Sequence, residues 1–230
     1  LKHQIRLELF HKLDSNMRAI ILAAGVGSML HPITNKKPKT LINVVDKPIL
    51  GHIIESLEAN NIFEIVVCVG SQAKKVINFC ENTYPNISFF FVHNKKYDST
   101  NNMYSLYLAK KYLDQDIILM NADLVFDKDI INGLLKQTSS AVAVDVGRYI
   151  GESMKIVLGC DGNIKGISKE IAKKEAYGCS IDIYKVDRQD CKLLNTEMER
   201  IIEENKDLNQ WTEVMLDNLF RTGKIVTKPY

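Results

Sequence analysis

No apolar run in the 230 residues approaches the roughly 20 needed to cross a bilayer, so a membrane-spanning helix is not expected. The opening residues mix charges among apolar positions, unlike a signal peptide. Together these features point to a cytoplasmic protein. Cysteine is sparse and unpaired. Cys68, Cys80, Cys160, Cys179 and Cys191 are odd in number, widely spaced and without a CxxC pair, which argues against disulfides and zinc and predicts buried free thiols. An excess of one charge is also missing: 30 Lys and Arg face 28 Asp and Glu, with no basic stripe or aromatic-and-arginine repeat, so nucleic acid is not an expected partner. No linker, internal repeat or low-complexity tract divides the chain. The length suits one body, residues 17–230, behind an extension, residues 1–16, in which Ile5, Leu9 and Leu13 fall at helical spacing.

What is present centres on Arg18 to Leu41, RAIILAAGVGSMLHPITNKKPKTL. Ala19 to Leu22 is a short apolar run that stops before glycine, the mark of a buried parallel strand. Ala23, Ala24, Gly25, Val26, Gly27 and Ser28 follow with little side chain. Backbone N–H groups can approach an anion there, and Gly25 and Gly27 can take positive φ to aim them. A dinucleotide fingerprint would need glycine at Leu30, and a P-loop would need Gly-Lys. Farther on, Lys36, Lys37 and Lys39 bracket Pro38, and Pro32 and Pro38 forbid a continuous helix. Glycine amides followed by a stiffened lysine arm suit a triphosphate.

Downstream, helix and strand alternate. A helix over Ile49 to Ala59 precedes strand Ile65 to Val69, helix Gln72 to Cys80 and strand Ile87 to Val92. This rhythm predicts a parallel sheet with helices on both faces, binding ligands beyond the carboxyl ends of its strands. The polar loop Tyr97 to Asn101 leads into a helix with Leu106, Ala109 and Leu113 inward. Asn101, Asn102 and Ser105 offer uncharged donors and acceptors suited to a nucleobase edge, or an N-cap and a solvated first turn. Strand Asp116 to Met120 is followed at once by Asp123, a carboxylate able to hold Mg²⁺ when substrate phosphates and waters complete the shell, or a turn residue.

Helix Lys128 to Lys136 and strand Ala141 to Val146 follow. Shorter strands, Met154 to Leu158, Ile164 to Ile167 and Ala176 to Tyr184, with Asp161-Gly162-Asn163 as a hairpin turn, then predict a small antiparallel extension. Lys169, Glu175, Tyr177, Gly178 and Ser180 there are candidates for a second pocket or surface decoration. A long helix, Val186 to Glu204, a helix striped by Trp211, Met215 and Leu219, and a strand Lys224 to Lys228 close the chain. Trp211 fits a core or interface position better than a stacking surface.

LAAGVGS at 22–28, Pro32, PKTL at 38–41 and NAD at 121–123 together resemble the nucleotidyltransferases that activate sugar phosphates and related esters. The resemblance implies a three-layer α/β sandwich with a mainly parallel nucleotide-binding sheet, and attack by an acceptor phosphate on the α-phosphorus of a nucleoside triphosphate. Carried over by position, Leu22, Ala23, Ala24, Gly25, Gly27 and Ser28 embrace base and phosphates, Lys39 contacts phosphates, Asp123 binds Mg²⁺ and Lys169 meets the acceptor phosphate. NKKYDSTNNMYSLYLAKKYL is similar to the CTP-using branch, which implies cytosine held near Thr100, Asn101, Asn102 and Ser105. It also implies a small phosphorylated acceptor: phosphoglutamine, en route to capsule phosphoramidate, or phosphocholine or 2-aminoethylphosphonate. Arg148, Lys155, Glu175 and Tyr177 are candidates for an amino acid's charged ends, and a homodimer is an assembly the chain could form.

Two departures bear on the expectation. Met29 stands where the family places an arginine, leaving either His31, Lys36 or Lys37 to compensate or the triphosphate weakly held. No acid follows Asp217 before Tyr230, so for the second metal-binding carboxylate that the resemblance implies near a late strand, either this chain stops short of it or another group supplies the ligand. Those departures leave a nucleotide-binding regulatory protein as an alternative, while Leu30 disfavours a dinucleotide-dependent oxidoreductase.

Overall fold

The structure is a computed structural model that describes residues 17–147, 149 and 152–230; the helix expected within residues 1–16 lies outside the described residues. The elements run as β1 (Met17–Ala23), a small hairpin of β2 (Asn43–Val44) and β3 (Lys47–Pro48), α1 (Ile49–Ala59), β4 (Glu64–Val69), α2 (Ala73–Thr83), β5 (Ser88–His93) and α3 (Asn102–Leu108). They continue as β6 (Asp116–Asn121), α4 (Asp129–Leu135), β7 (Ala141–Asp145), β8 (Lys155–Leu158), β9 (Ile164–Ser168), β10 (Gly178–Val186), α5 (Arg188–Glu199), α6 (Thr212–Arg221) and β11 (Lys228–Pro229).

The main sheet has the order β11-β7-β10-β6-β1-β4-β5. Strand β1 lies between β4 and β6, parallel to both, and every one of its residues is buried. That is why it reads as an unbroken apolar run rather than an alternating one. Its side chains still alternate between faces. Ala19, Ile21 and Ala23 join a core with α1, α2 and α4, while Ile20 and Leu22 join a second core with α3, α5 and α6. The sheet is therefore the middle of three layers, mainly parallel as expected. Strand β10 runs antiparallel to both β6 and β7, and the hairpin β8–β9 extends from it as the small antiparallel extension.

Several expected boundaries shift. The last helix before Trp211 is α-helical only over Arg188–Glu199 and widens to a π-turn at Arg200–Glu204, which keeps Ile201 and Ile202 buried. The closing strand pairs only at Lys228–Pro229, not from Lys224. Cys160 is exposed, while Cys68, Cys80, Cys179 and Cys191 are the buried free thiols. Gly27 has φ of +70°, whereas Gly25 does not enter the positive-φ region. Among the described residues, no helix is long and apolar enough to cross a membrane.

Candidate active site

Strand carboxyl ends, where a parallel sheet leaves its loops splayed apart, build a cavity of about 290 Å³. The end of β1 supplies Leu22, Ala23, Ala24, Gly25 and Gly27. The polar segment after β5 supplies Thr100, Asn101, Asn102 and Ser105, and the turns after Pro38 and β6 bring Lys39 and Asp123. Ser28, expected among these groups, lines neither this cavity nor its neighbour; it starts a short exposed 3₁₀ turn, Ser28–Leu30, that turns the chain outward. Met29 is 93% exposed there, and none of His31, Lys36 and Lys37 lines the cavity.

Local packing explains the loop's composition. A Cβ at Gly27 would lie 2.9 Å from the Lys39 Cβ, so glycine permits both the left-handed turn and the approach of the lysine stem. Thr34 donates from Oγ1 to the Gly27 carbonyl at 2.9 Å, fixing the turn. Behind it, a Cβ at Gly70 would meet the Ala24 carbonyl and the Tyr97 side chain at 2.6 Å, so only glycine lets the tips of β1 and β4 close on the polar segment. Lys39 Nζ then reaches Asp123 Oδ2 at 2.5 Å.

The polar segment is organised by Asn94, a buried residue that sequence reasoning did not single out. Its Nδ2 donates to Thr100 Oγ1 and Ser105 Oγ, both at 3.0 Å, and its Oδ1 accepts from the Lys96 N–H at 2.9 Å. Asn101 caps α3 by accepting from the Asn102 N–H at 2.8 Å, so it is at once a helix cap and a cavity residue. Thr40 is buried in the cavity wall, and among the described residues its Oγ1 has no hydrogen-bond partner. Such an orphaned hydroxyl is costly unless a ligand or water meets it.

A second cavity, of about 600 Å³, adjoins the first and shares Asn102, Asn121 and Trp211 with it. Lys169 lies here, its Nζ 2.7 Å from Glu152 Oε2 and 4.3 Å from the Trp211 ring centroid. Trp211 is 41% exposed, so it forms the partition between the cavities rather than core. Of the other candidates only Ser180 lines this cavity; Glu175, Tyr177 and Gly178 do not. Lys155 is buried, with its ammonium on the Lys169 carbonyl at 2.5 Å, and Arg148 lies outside the described residues.

The structure also brings in two acids that sequence reasoning passed over. Asp182 sits where β10 breaks register against β7, at φ of +59°, a left-handed conformation that Asp tolerates better than most residues. That turn swings its carboxyl out of the strand alternation and into the second cavity. Asn121 Nδ2 donates to Asp182 Oδ2 at 3.2 Å, and Asp182 Oδ1 is 3.4 Å from the Tyr184 hydroxyl. That hydroxyl accepts from Ser180 Oγ at 3.0 Å and donates to Glu213 Oε1 at 2.8 Å. Burial, then the charge of Glu213, pushes the Asp182 carboxyl up to about 7; burial likewise raises Glu213. An acid flanked by Ile181 and Ile183 within an apolar strand was the available signal.

The donor set also bears on a metal. No group of three or more His, Cys, Asp or Glu able to hold one occurs among the described residues. Asp123, 38% exposed at its side chain and on the first cavity wall, fits Mg²⁺ only in the mode where phosphate oxygens and waters supply the remaining ligands.

The CTP:phosphoglutamine cytidylyltransferase of Campylobacter jejuni is 38% identical over 136 residues, covering 56% of this chain and 53% of that protein. The choline-phosphate cytidylyltransferase of Streptococcus pneumoniae is 36% identical over 126 residues, 55% of this chain and 53% of that protein. The chain spans about half or less of the length of the curated relatives it matches. A solved structure of the CTP:phosphocholine cytidylyltransferase LicC from Streptococcus pneumoniae shares the fold, with a TM-score of 0.71 at 23% identity over 93% of this chain and 89% of that one. The Nucleotidyl transferase family matches residues 18–152, a span that holds the glycine loop, Lys39 and Asp123, and the chain belongs to that family.

Proposed function

We propose that the protein transfers CMP from CTP to a small phosphorylated acceptor, with phosphoglutamine as the acceptor and CDP-glutamine, an intermediate of capsule phosphoramidate formation, as the product. The observation that carries this reading is the meeting of two cavities at Asn102, Asn121 and Trp211, with Lys39 and Asp123 at one side and Lys169 at the other. The C. jejuni and S. pneumoniae relatives support cytidine nucleotides by name.

An acceptor phosphate oxygen attacks the α-phosphorus, a new P–O bond forms, and the α–β bridging bond breaks with its electron pair leaving on pyrophosphate. No protein nucleophile is needed. The obstacle is repulsion between two anions, so the chain contributes neutralisation and alignment. Loop amides from Ala23 to Gly27 and the Lys39 ammonium face the triphosphate, the Thr40 hydroxyl donates to it, and the Lys169 ammonium meets the acceptor phosphate. Asp123 would hold Mg²⁺, which when bound supplies positive charge to the phosphate oxygens. Phosphoglutamine, phosphocholine and 2-aminoethylphosphonate each carry a cationic nitrogen, and Asp182, Glu213 and the Trp211 ring offer it carboxyl and aromatic partners. The choline-phosphate relative supports phosphocholine as the second acceptor to test.

The test is a screen of CTP, UTP, ATP and GTP against the three acceptors, reading pyrophosphate and product mass. A CDP-linked product with phosphoglutamine leading is expected. Pyrophosphate from no pair of substrates would leave a nucleotide-binding regulatory protein as the better reading.

A further inference from the structure

The partition between the two cavities is stitched by a closed ring of side chains from four elements. Asn102, at the start of α3, accepts at Oδ1 from the Thr212 backbone N–H at 3.0 Å. Its Nδ2 donates to Asn121 Oδ1 at 3.3 Å and to Thr212 Oγ1 at 3.4 Å. From Asn121 the ring continues through Asp182 and Tyr184 to Glu213, the neighbour of Thr212 in the chain.

Thr212 opens α6, and the residue before it, Trp211, makes no side-chain cap. The first N–H groups of a helix have no partner within it, and here one is satisfied from a residue 110 positions earlier in the chain. A second tie runs alongside, from the Asn101 N–H to the Leu208 carbonyl at 3.2 Å. Both N–H groups of the Asn102 amide are thus committed, and its oxygen already accepts one bond. A nucleobase acceptor would have to break one of those bonds to be read by Asn102 Nδ2, whereas Asn101 Nδ2 makes no hydrogen bond to a described residue.

We propose that Asn102 is a positioning residue, not a reader of the base: its amide holds Trp211 and Glu213 in the wall of the second cavity and thereby sets acceptor binding. Losing the amide uncaps the first turn of α6, and the Trp211 ring beneath Lys169 shifts with that turn. The kinetic part of this inference rests on the two cavities being nucleotide and acceptor sites; the spectroscopic part does not.

Trp211 is the chain's single tryptophan, so its emission reports the partition directly. In Asn102→Ala the emission maximum should move and acrylamide quenching should rise at least twofold. Acceptor KM should rise tenfold or more, by a larger factor than CTP affinity falls. Asn102→Asp keeps an oxygen over the Thr212 N–H and should restore the parent emission. Unchanged emission in Asn102→Ala, or a tenfold loss of CTP affinity without a change in acceptor KM, would overturn the proposal. Should no acceptor support turnover in the parent protein, the functional reading fails while emission of the two variants still decides the role of Asn102.

Discussion

Lys39 and Asp123 form an ion pair whose side chains are 34% and 38% exposed. Pairs so accessible to water contribute at most about 1 kcal/mol to folding, so on the proposed function their value would lie in what they do to a bound phosphate. Asp123→Ala should lower unfolding free energy by less than ~1 kcal/mol, yet reduce pyrophosphate release at least a hundredfold. Chemical denaturation beside the turnover assay checks both, and a multi-kcal/mol loss of stability would mark the aspartate as structural. Asp182 is the opposite case. Its carboxyl is raised by burial and by Glu213 to about 7, above its unfolded value near 3.9. The folded protein therefore binds the extra proton between about pH 4 and pH 7, and stability falls as pH climbs through that window. Asp182→Asn keeps the left-handed turn and an acceptor for Asn121. Relative to the parent it should gain on the order of 1–3 kcal/mol above pH 7, with the gain fading toward pH 4; a constant difference across pH would contradict this linkage.

At the scale of elements, the site depends on where α6 docks. Asp217 on that helix accepts from the Ile167 N–H of β9 at 2.8 Å and pairs with Arg221 at 2.6 Å, pinning the antiparallel hairpin to the helix. Asp217→Ala orphans the Ile167 amide and should cost about 1–3 kcal/mol, with CTP affinity unchanged because neither cavity includes Asp217; titration calorimetry and denaturation separate the two effects. Strands β1, β4 and β6 and helix α1 were legible because their apolar spacing is set by burial on both faces or on one, a local property of the sequence. The bulge in β10 was not. The acid between Ile181 and Ile183 hints at a carboxyl among apolar neighbours, but only the register break against β7 shows that Asp182 turns inward. Asn102 was legible as polar and near the site, but its partners Thr212 and Asn121 lie on other elements, so its task was invisible before the fold placed them together.

For the molecule as a whole, one sheet separates two cores and gathers at its carboxyl edge the loops from β1, β5 and β6, with β10 and α6 closing the far side. The glycine loop, Lys39 and Asp123 were readable as a set because they sit in short motifs just past strand ends. The second cavity was less so, since Lys169, Glu152, Trp211 and Glu213 come together only through the packing of the extension and α6. The central claim is that the two cavities hold two halves of one product with the diphosphate bridging them. A crystal structure with the CDP-linked product bound tests it most directly. The account predicts cytidine in the first cavity, the acceptor group in the second, and phosphate oxygens within contact of Lys39 and Lys169. Cytidine lodged elsewhere, with residue 123 remote from either phosphorus, would contradict it.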